Sequence, residues 1–398
     1  IIEHMDDIQN LGIDVLYMTP IFKSNSCHKY DTTDYYQIDP SFGTTEDLKE
    51  LVQKAHERGM KVVLDAVYNH TGREFFAFAD ILENGEKSKY RDWYFIDGFP
   101  LKSEWGEIPN FKCFGYYGGM PKLNLKNPEV EKYITDVACY WIKECDIDGW
   151  RLDVGDEISH FFWKNFRKAV KAVKKDMLII GEIWHYAGDF LEGDEWDTVM
   201  NYPFYLNLID LLADEKITVS QFVQNLGYLK GRLHKNCYPL MWNLIDSHDT
   251  ARFLHLCNDN KKKQHLAAAF QLLLPGMPMI YYGDEYAMPG ANDPDCRRGM
   301  YWDEEYQDKE MYEWYKRLIQ VRKSHACIVE GELAGSVTED EEGTIVLIRK
   351  NGEETIAMIF NCSSSAKKFN EYTQKYNLLT ENTFDGNVEG FDAAVIVL

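Results

Sequence analysis

Apolar residues recur at helical spacing at the start of the chain, at Ile1, Met5, Ile8 and Leu11, and Gly12 then precedes a short apolar run over 15–18. The spacing predicts a helix followed by a buried strand. Thr44 or Thr45 caps a second helix bearing Leu48, Leu51, Val52 and Ala55; Gly59 ends it, and Val62-Val63-Leu64 forms a strand that stops at Asp65. Asn127-Pro128 opens a helix carrying Val130, Ile134, Val137, Trp141 and Ile142, ahead of a strand over 147–153. A helix marked by Phe162, Phe166 and Val170 leads to a strand at 177–180, and a shorter strand lies near 198–200. Residues 221–233, 266–274 and 310–322 read as helices, with strands at 241–245 and 279–282.

Short, continuously apolar strands alternating with helices imply a parallel sheet covered on both faces, and at 398 residues the expected form is an α/β chain built on a (β/α)8 TIM barrel. Seven strands are counted, and the chain opens on the helix that should follow the first. The first barrel strand is therefore expected to be missing, and the open pairing edges predict aggregation or inactivity of this chain alone. The barrel is expected over 1–70 and 127–324. Residues 71–126, rich in Gly, Trp, Tyr and Phe, interrupt the alternation as an inserted, domain B-like segment. From 325 to 398 the pattern changes to strand runs at 345–349, 355–360 and 393–398, with Asn351-Gly352 as a hairpin signal, so a C-terminal antiparallel β-sandwich domain is expected.

Composition narrows the partners. With 45% hydrophobic and 27% charged residues the chain is globular, and a net charge of −22 repels phosphate backbones and anionic headgroups, which argues against nucleic acid and membrane. Nine cysteines without a Cys-x-x-Cys pair read as reduced thiols. No basic-then-apolar leader is visible and a cytoplasmic location is expected; the oligomeric state is left open. Aromatic residues make up 14% of the chain, which suits a neutral, hydroxyl-rich ligand that stacks on rings. Lys261-Lys262-Lys263 reads as a solvated helix face.

Active sites of such barrels gather at the C-terminal ends of the strands. Those ends carry Asp65 with Asn69 and His70, then Arg151 and Asp153, then Glu182 with Trp184 and His185, then His248 and Asp249. One strand-end carboxylate is ordinarily a cap or a salt-bridge partner; several on separate strands indicate a site. Carboxylates facing one pocket raise one another's pKa, so one of them should hold a proton. That arrangement fits glycoside hydrolysis, in which a protonated acid serves the leaving oxygen and a second carboxylate attacks the anomeric carbon. Arg151 and Asp153 are two apart on a strand and share a face, within reach of one another.

The segments Asp65-Ala-Val-Tyr-Asn-His70, Gly149-Trp-Arg-Leu-Asp-Val154, Gly181-Glu-Ile-Trp-His185 and Asn243-Leu-Ile-Asp-Ser-His-Asp249 resemble, in order, the four signature blocks of the α-amylase superfamily, glycoside hydrolase family 13. Met120-Pro-Lys-Leu-Asn124 resembles the block of its neopullulanase, cyclomaltodextrinase and maltogenic amylase subfamily. The resemblance implies a retaining α-glucan hydrolase with some transglycosylation, acting on α-1,4 bonds of cyclodextrins, maltooligosaccharides, starch or pullulan. By position it implies Asp153 as nucleophile, Glu182 as general acid/base and Asp249 as the carboxylate that holds sugar hydroxyls. Tyr30, His70, Arg151 and His248 would line the cleavage subsite. Trp184, Glu157 and the loop residues Asp293, Arg297 and Arg298 would shape neighbouring sugar sites. Asp65 and Asn69 would support the pocket. Where the subfamily pattern has Ala and Asn, this chain has Gly155 and Asp156.

No cofactor is required on this reading, and calcium stays open although no dense Asp-Asn-Gly loop marks a site for it. Two other readings compete. A zinc-dependent barrel hydrolase would use Asp65, His70, His185, His248 and Asp249, but no His-x-His or His-Glu-x-x-His pair places two ligands on one metal. A catalytically inactive sugar-binding relative would normally lack one of the three acids, and all three are present. Phe75 to Phe78, Met120 and Leu123 read as packing or loop anchors.

Overall fold

The computed structural model describes residues 1–102 and 108–398, and the chain divides into two units, residues 1–183 with 189–199 and residues 184–188 with 200–398. Residues 103–107 of the expected inserted segment lie outside the described residues.

In the first unit, helix α1 (Met5–Leu11) ends where Gly12 takes φ +103°, a left-handed conformation that costs glycine little. Strand β1 (Val15–Met18) follows. A hairpin of β2 (Phe22–Ser24) and β3 (Thr32–Ile38) comes next, which the mixed polarity of its residues hid from the sequence pattern. Helix α2 (Thr45–Glu57) starts from Thr44, whose side chain and that of Asp47 cap one another's backbone N–H groups. Strand β4 (Lys61–Ala66) is followed by α3 (Phe76–Asn84), within residues 71–126, and by α4 (Pro128–Cys145), capped by Asn127. Then come β5 (Gly149–Leu152), α5 (His160–Val173), β6 (Leu178–Gly181) and β7 (Thr198–Val199). These strands form a parallel sheet in the order β1-β4-β5-β6-β7. Val62, Val63, Leu64, Trp150 and Ile179 are all buried, as a sheet covered on both faces requires. Phe75 and Phe78 are buried, whereas Phe76 is exposed.

The second unit contains α6 (Tyr202–Leu208), capped by Asn201, and α7 (Val219–Arg232). Strand β8 (Trp242–Asn243), α8 (Phe253–Leu256), α9 (Lys261–Leu273), β9 (Met277–Pro278), α10 (Lys309–Ser324) and α11 (Ala326–Glu330) follow. Strands β8 and β9 pair in parallel. The strand expected over 279–282 is corrected to β9: Gln271 takes the Met279 carbonyl at 2.7 Å, and the ladder does not continue through Tyr281 and Tyr282. The remaining strands are β10 (Glu332–Glu339), β11 (Thr344–Asn351), β12 (Glu354–Asn361), β13 (Lys367–Lys368), β14 (Tyr376–Asn377), β15 (Asn382–Thr383), β16 (Asn387–Val388) and β17 (Asp392–Val397). They form an antiparallel sheet, β10-β11-β12-β17-β14-β15, and a separate pair, β13-β16. The predicted turn at Asn351-Gly352 joins β11 to β12, with Gly352 at φ +60°. Val346, Ile359, Phe369, Phe384 and Val388 share one core, and Phe360 stacks on Phe270 of α9 at 4.3 Å.

Along the chain, strands β1, β4, β5, β6, β7, β8 and β9 come in the order read from the sequence, with α-helices between successive strands except between β6 and β7. The nine cysteines are free thiols.

Two glycines position the strand ends of the first unit. Trp196, stacked on Phe190 at 4.0 Å, covers both Gly181 and Gly155. A Cβ at Gly155 would come within 2.8 Å of the indole, and one at Gly181 would overlap it. Overpacking of this kind costs about 1–3 kcal/mol. Gly181→Ala is therefore expected to lower the melting temperature by several degrees in calorimetry. An unchanged transition would show that the indole gives way freely.

Candidate active site

Strand register places the charged residues of the first unit on one face. Asp65 on β4 lies opposite Arg151 on β5, and Tyr17 on β1 lies opposite Val63, so side-chain alternation turns Tyr17, Asp65, Arg151 and Asp153 the same way. Arg151 is fully buried. Its Nη1 donates to Asp65 Oδ2 at 3.1 Å and to Asp153 Oδ1 at 3.0 Å, and its Nη2 lies 2.9 Å from Glu182 Oε2. One guanidinium thus touches three carboxylates. Burial works against the arginine's charge, yet Asp65 and Glu182 hold its pKa well above the usual value.

The supporting groups are neutral donors. Tyr17 and Tyr30 give their phenol protons to Asp65 Oδ2 at 2.6 and 3.1 Å, and burial, reinforced by Asp65, pushes both phenols well up. The turn after Asp153 is strained: Val154, a β-branched residue, sits at φ +46°. That conformation aims the Val154 N–H at Glu182 Oε2, 2.9 Å away. His70 is stacked on Phe114 at 5.1 Å and shares a hydrogen bond with the Tyr30 carbonyl at 3.0 Å. Burial pulls the His70 pKa down to about 4, so the ring is neutral at neutral pH.

Lys122, inside the Met120–Asn124 block, was not singled out by the sequence reading. Its ammonium donates to Asn69 Oδ1 at 2.5 Å and to Glu157 Oε2 at 2.7 Å, while Asn69 Nδ2 reaches the same Glu157 oxygen at 3.2 Å. Glu157 is thereby fixed from two sides. Gly155, which departs from the expected Ala, has Trp196 where a methyl group would lie. Tyr17 was also missed, although its parity with Asp65 on adjacent strands was the available signal.

In the second unit, His248 and Asp249 follow β8, with His248 Nε2 at 3.0 Å from Asp249 Oδ2. Arg297 donates from Nε to the His248 carbonyl at 2.8 Å, lies 3.4 Å from Asp249 Oδ1 through Nη2, and pairs with Asp293 at 2.8 Å. Asp293, Arg297 and Asp249 therefore belong to one chain of contacts. Arg298 turns instead to Asp295 at 2.7 Å. Trp184 stacks on Tyr202 at 3.8 Å and keeps 41% of its surface exposed. His185 is exposed, its Nδ1 3.3 Å from the Tyr186 carbonyl. Among the described residues no three His, Cys, Asp or Glu side chains are grouped to hold a metal ion.

Residues 1–331 match the family described as alpha amylase, catalytic domain. A cyclomaltodextrinase from Geobacillus thermopakistaniensis is 48% identical over 366 residues, covering 92% of this chain and 62% of its own length. An intracellular maltogenic amylase from Bacillus subtilis is 43% identical over 362 residues, covering 91% of this chain and 61% of its own. A solved cyclomaltodextrinase structure superposes with a TM-score of 0.95 at 39% identity, over 99% of this chain and 70% of that one. The chain thus spans a little over 60% of the length of these curated relatives.

Two outcomes are expected for the first-unit cluster. Removing Arg151 leaves three carboxylates facing one another without a cation, so Arg151→Met should lose about 3–5 kcal/mol in urea unfolding near pH 7. His70 gives a pH signature. Its pKa is depressed in the folded chain, so only the unfolded chain takes up a proton as pH falls from 6.5 toward about 4. Stability should fall through that window and be flat in this respect above it. In urea titrations at pH 7.5, 5.5 and 4.5, His70→Gln should show a shallower acid loss than the parent; parallel curves would contradict it.

Proposed function

Because the chain belongs to the alpha-amylase catalytic-domain family, whose fold is a TIM barrel, we propose that it is a retaining α-glucan hydrolase of the cyclomaltodextrinase, neopullulanase and maltogenic amylase group. Its substrates on this reading are α-1,4-linked glucans: cyclodextrins, maltooligosaccharides, starch or pullulan, with transfer to sugar acceptors as a side reaction. The observation that carries the reading is the single buried Arg151 that binds Asp153 and Glu182 together.

In the first step Glu182 protonates the leaving glycosidic oxygen while an Asp153 oxygen attacks the anomeric carbon, giving a glycosyl ester and a free reducing-end fragment. Arg151 keeps the Asp153 carboxylate anionic and oriented. In the second step Glu182 takes a proton from water, which displaces Asp153 and restores the α-configuration. Neutral His70, its Nε2–H held by the Tyr30 carbonyl, lines the subsite without adding charge, Tyr30 stacks under the ring, and Asp249 and His248 hold hydroxyls and favour ring distortion. Trp184, Glu157, Asp293 and Arg297 serve neighbouring sugars; Arg298 acts only through the shape of its loop.

No metal enters these steps. EDTA-treated protein should retain its turnover, whereas the zinc reading requires that turnover be lost and then restored by zinc. No helix among the described residues is long and apolar enough to cross a membrane, and the relative named as intracellular supports a cytoplasmic site of action.

The deciding measurement is maltose release from a cyclic maltooligosaccharide, with the product anomer followed by proton NMR in the first minutes. The parent should release the α-anomer first. Glu182→Gln should lose on the order of 10²- to 10⁴-fold in kcat, with less loss on an activated aryl glycoside whose leaving group needs no proton. Equal activity of the two proteins, or initial release of the β-anomer, would defeat the assignment.

A further inference from the structure

The second unit holds a buried charge cluster for which the proposed reaction has no use. Asp246, three residues before Asp249, faces Asp284 and Arg252, and all three are at most 1% exposed. Burial raises the pKa of both aspartates, and a hydrogen bond between two carboxyl groups requires that one of them carry a proton. Glu285 is pushed up to about 7 by burial, and the Tyr315 phenol faces the same acids and is neutral. With one proton shared by the aspartates, Arg252 balances the remaining negative charge.

Arg252 does more than neutralise. Its guanidinium lies 4.5 Å from the ring centre of Tyr281 and 5.1 Å from that of Tyr282, while Nη1 donates to Asp284 at 3.0 Å. The hydroxyls of those two tyrosines donate to the carbonyls of Cys296, at 3.3 Å, and Arg298, at 2.6 Å. These are the two residues that flank Arg297. The backbone N–H of Arg252 donates to the Gly290 carbonyl at 3.0 Å, at the start of the same loop. A Cβ on Gly290 would come within 3.1 Å of the Arg252 side chain.

We propose that Arg252 is a positioning residue: lying across Tyr281 and Tyr282, it fixes the two hydroxyls that clamp the backbone on either side of Arg297, and so sets Arg297 against His248 and Asp249. The functional part of this inference rests on the reading of Asp249 as a group that touches substrate. A planar guanidinium can lie over two rings while bonding a carboxylate in its own plane; an ammonium can keep the ion pair but not the stack. The charge balance of the cluster and the alignment of the loop can therefore be separated by substitution.

The test uses Arg252→Lys and Tyr282→Phe in the full chain, with Asp249→Asn as reference. The lysine keeps the buried charge, and Tyr282 is partly exposed, so both variants are expected to melt near the parent temperature. Each should lower kcat on a cyclic maltooligosaccharide by on the order of 10- to 100-fold with a smaller change in KM, as displacement of a positioned group does. Crystal structures of both should show Arg297 moved away from Asp249. Parent-like kcat in both variants, or an Arg297 that has not moved, would overturn the inference. Full activity of Asp249→Asn would instead defeat the functional reading of Asp249, and the position of Arg297 in the two variant structures would still decide whether Arg252 sets the loop.

Discussion

The first unit is organised around one ion cluster, the buried guanidinium of Arg151 against Asp65, Asp153 and Glu182. Taking a guanidinium and the carboxyl groups around it out of water is expensive, and an incomplete cluster is far worse than a complete one. The sheet must therefore bring β4, β5 and the end of β6 into a single register. A one-residue slip of β5 would turn Arg151 to the other face of the sheet and strand the three acids. The apolar runs set the parallel order, but the charges at the strand ends make only one alignment acceptable.

The cluster also explains local features that cost stability. Val154 holds a left-handed conformation that a β-branched residue avoids, and its N–H is thereby delivered to Glu182. Gly155 and Gly181 leave room for Trp196, which packs where their side chains would be and closes the first unit beside Glu182. The neutral phenols of Tyr17 and Tyr30 give Asp65 hydrogen bonds and no further charge, and the neutral imidazole of His70 is held by the Tyr30 carbonyl.

Much of this was legible in the sequence because strand ends are marked by the change from apolar to charged residues. Asp65, Arg151, Asp153 and Glu182 were found that way, and Thr44, Asn127 and Gly12 marked helix ends by their capping chemistry. What escaped depended on contacts between segments. Tyr17 lies inside an apolar run and reads as core until its register with β4 is known. Lys122 is one lysine in a loop until Asn69 and Glu157 are placed around it. Tyr281 and Tyr282 have the composition of a strand, but their rings are taken by Arg252 and their hydroxyls by the loop that follows. Alternation of polarity cannot register such commitments, because those of Tyr281 and Tyr282 alone reach across 15 to 30 residues of chain.

The two units solve the same electrostatic problem in different ways. Each places one fully buried arginine among several carboxyl groups. Around Arg151, Asp65 is closed off but Asp153 and Glu182 keep 6% and 7% exposure, and the guanidinium bonds both of them directly. Around Arg252 the two aspartates are closed off at 1% exposure each, and the excess charge is removed by a proton held between their carboxyl groups. An open cluster can exchange protons and meet a ligand; a closed one can only hold its neighbours in place. That difference in access is the physical reason to assign chemistry to the residues around Arg151 and alignment to those around Arg252, even though both sets contain the same kinds of side chain.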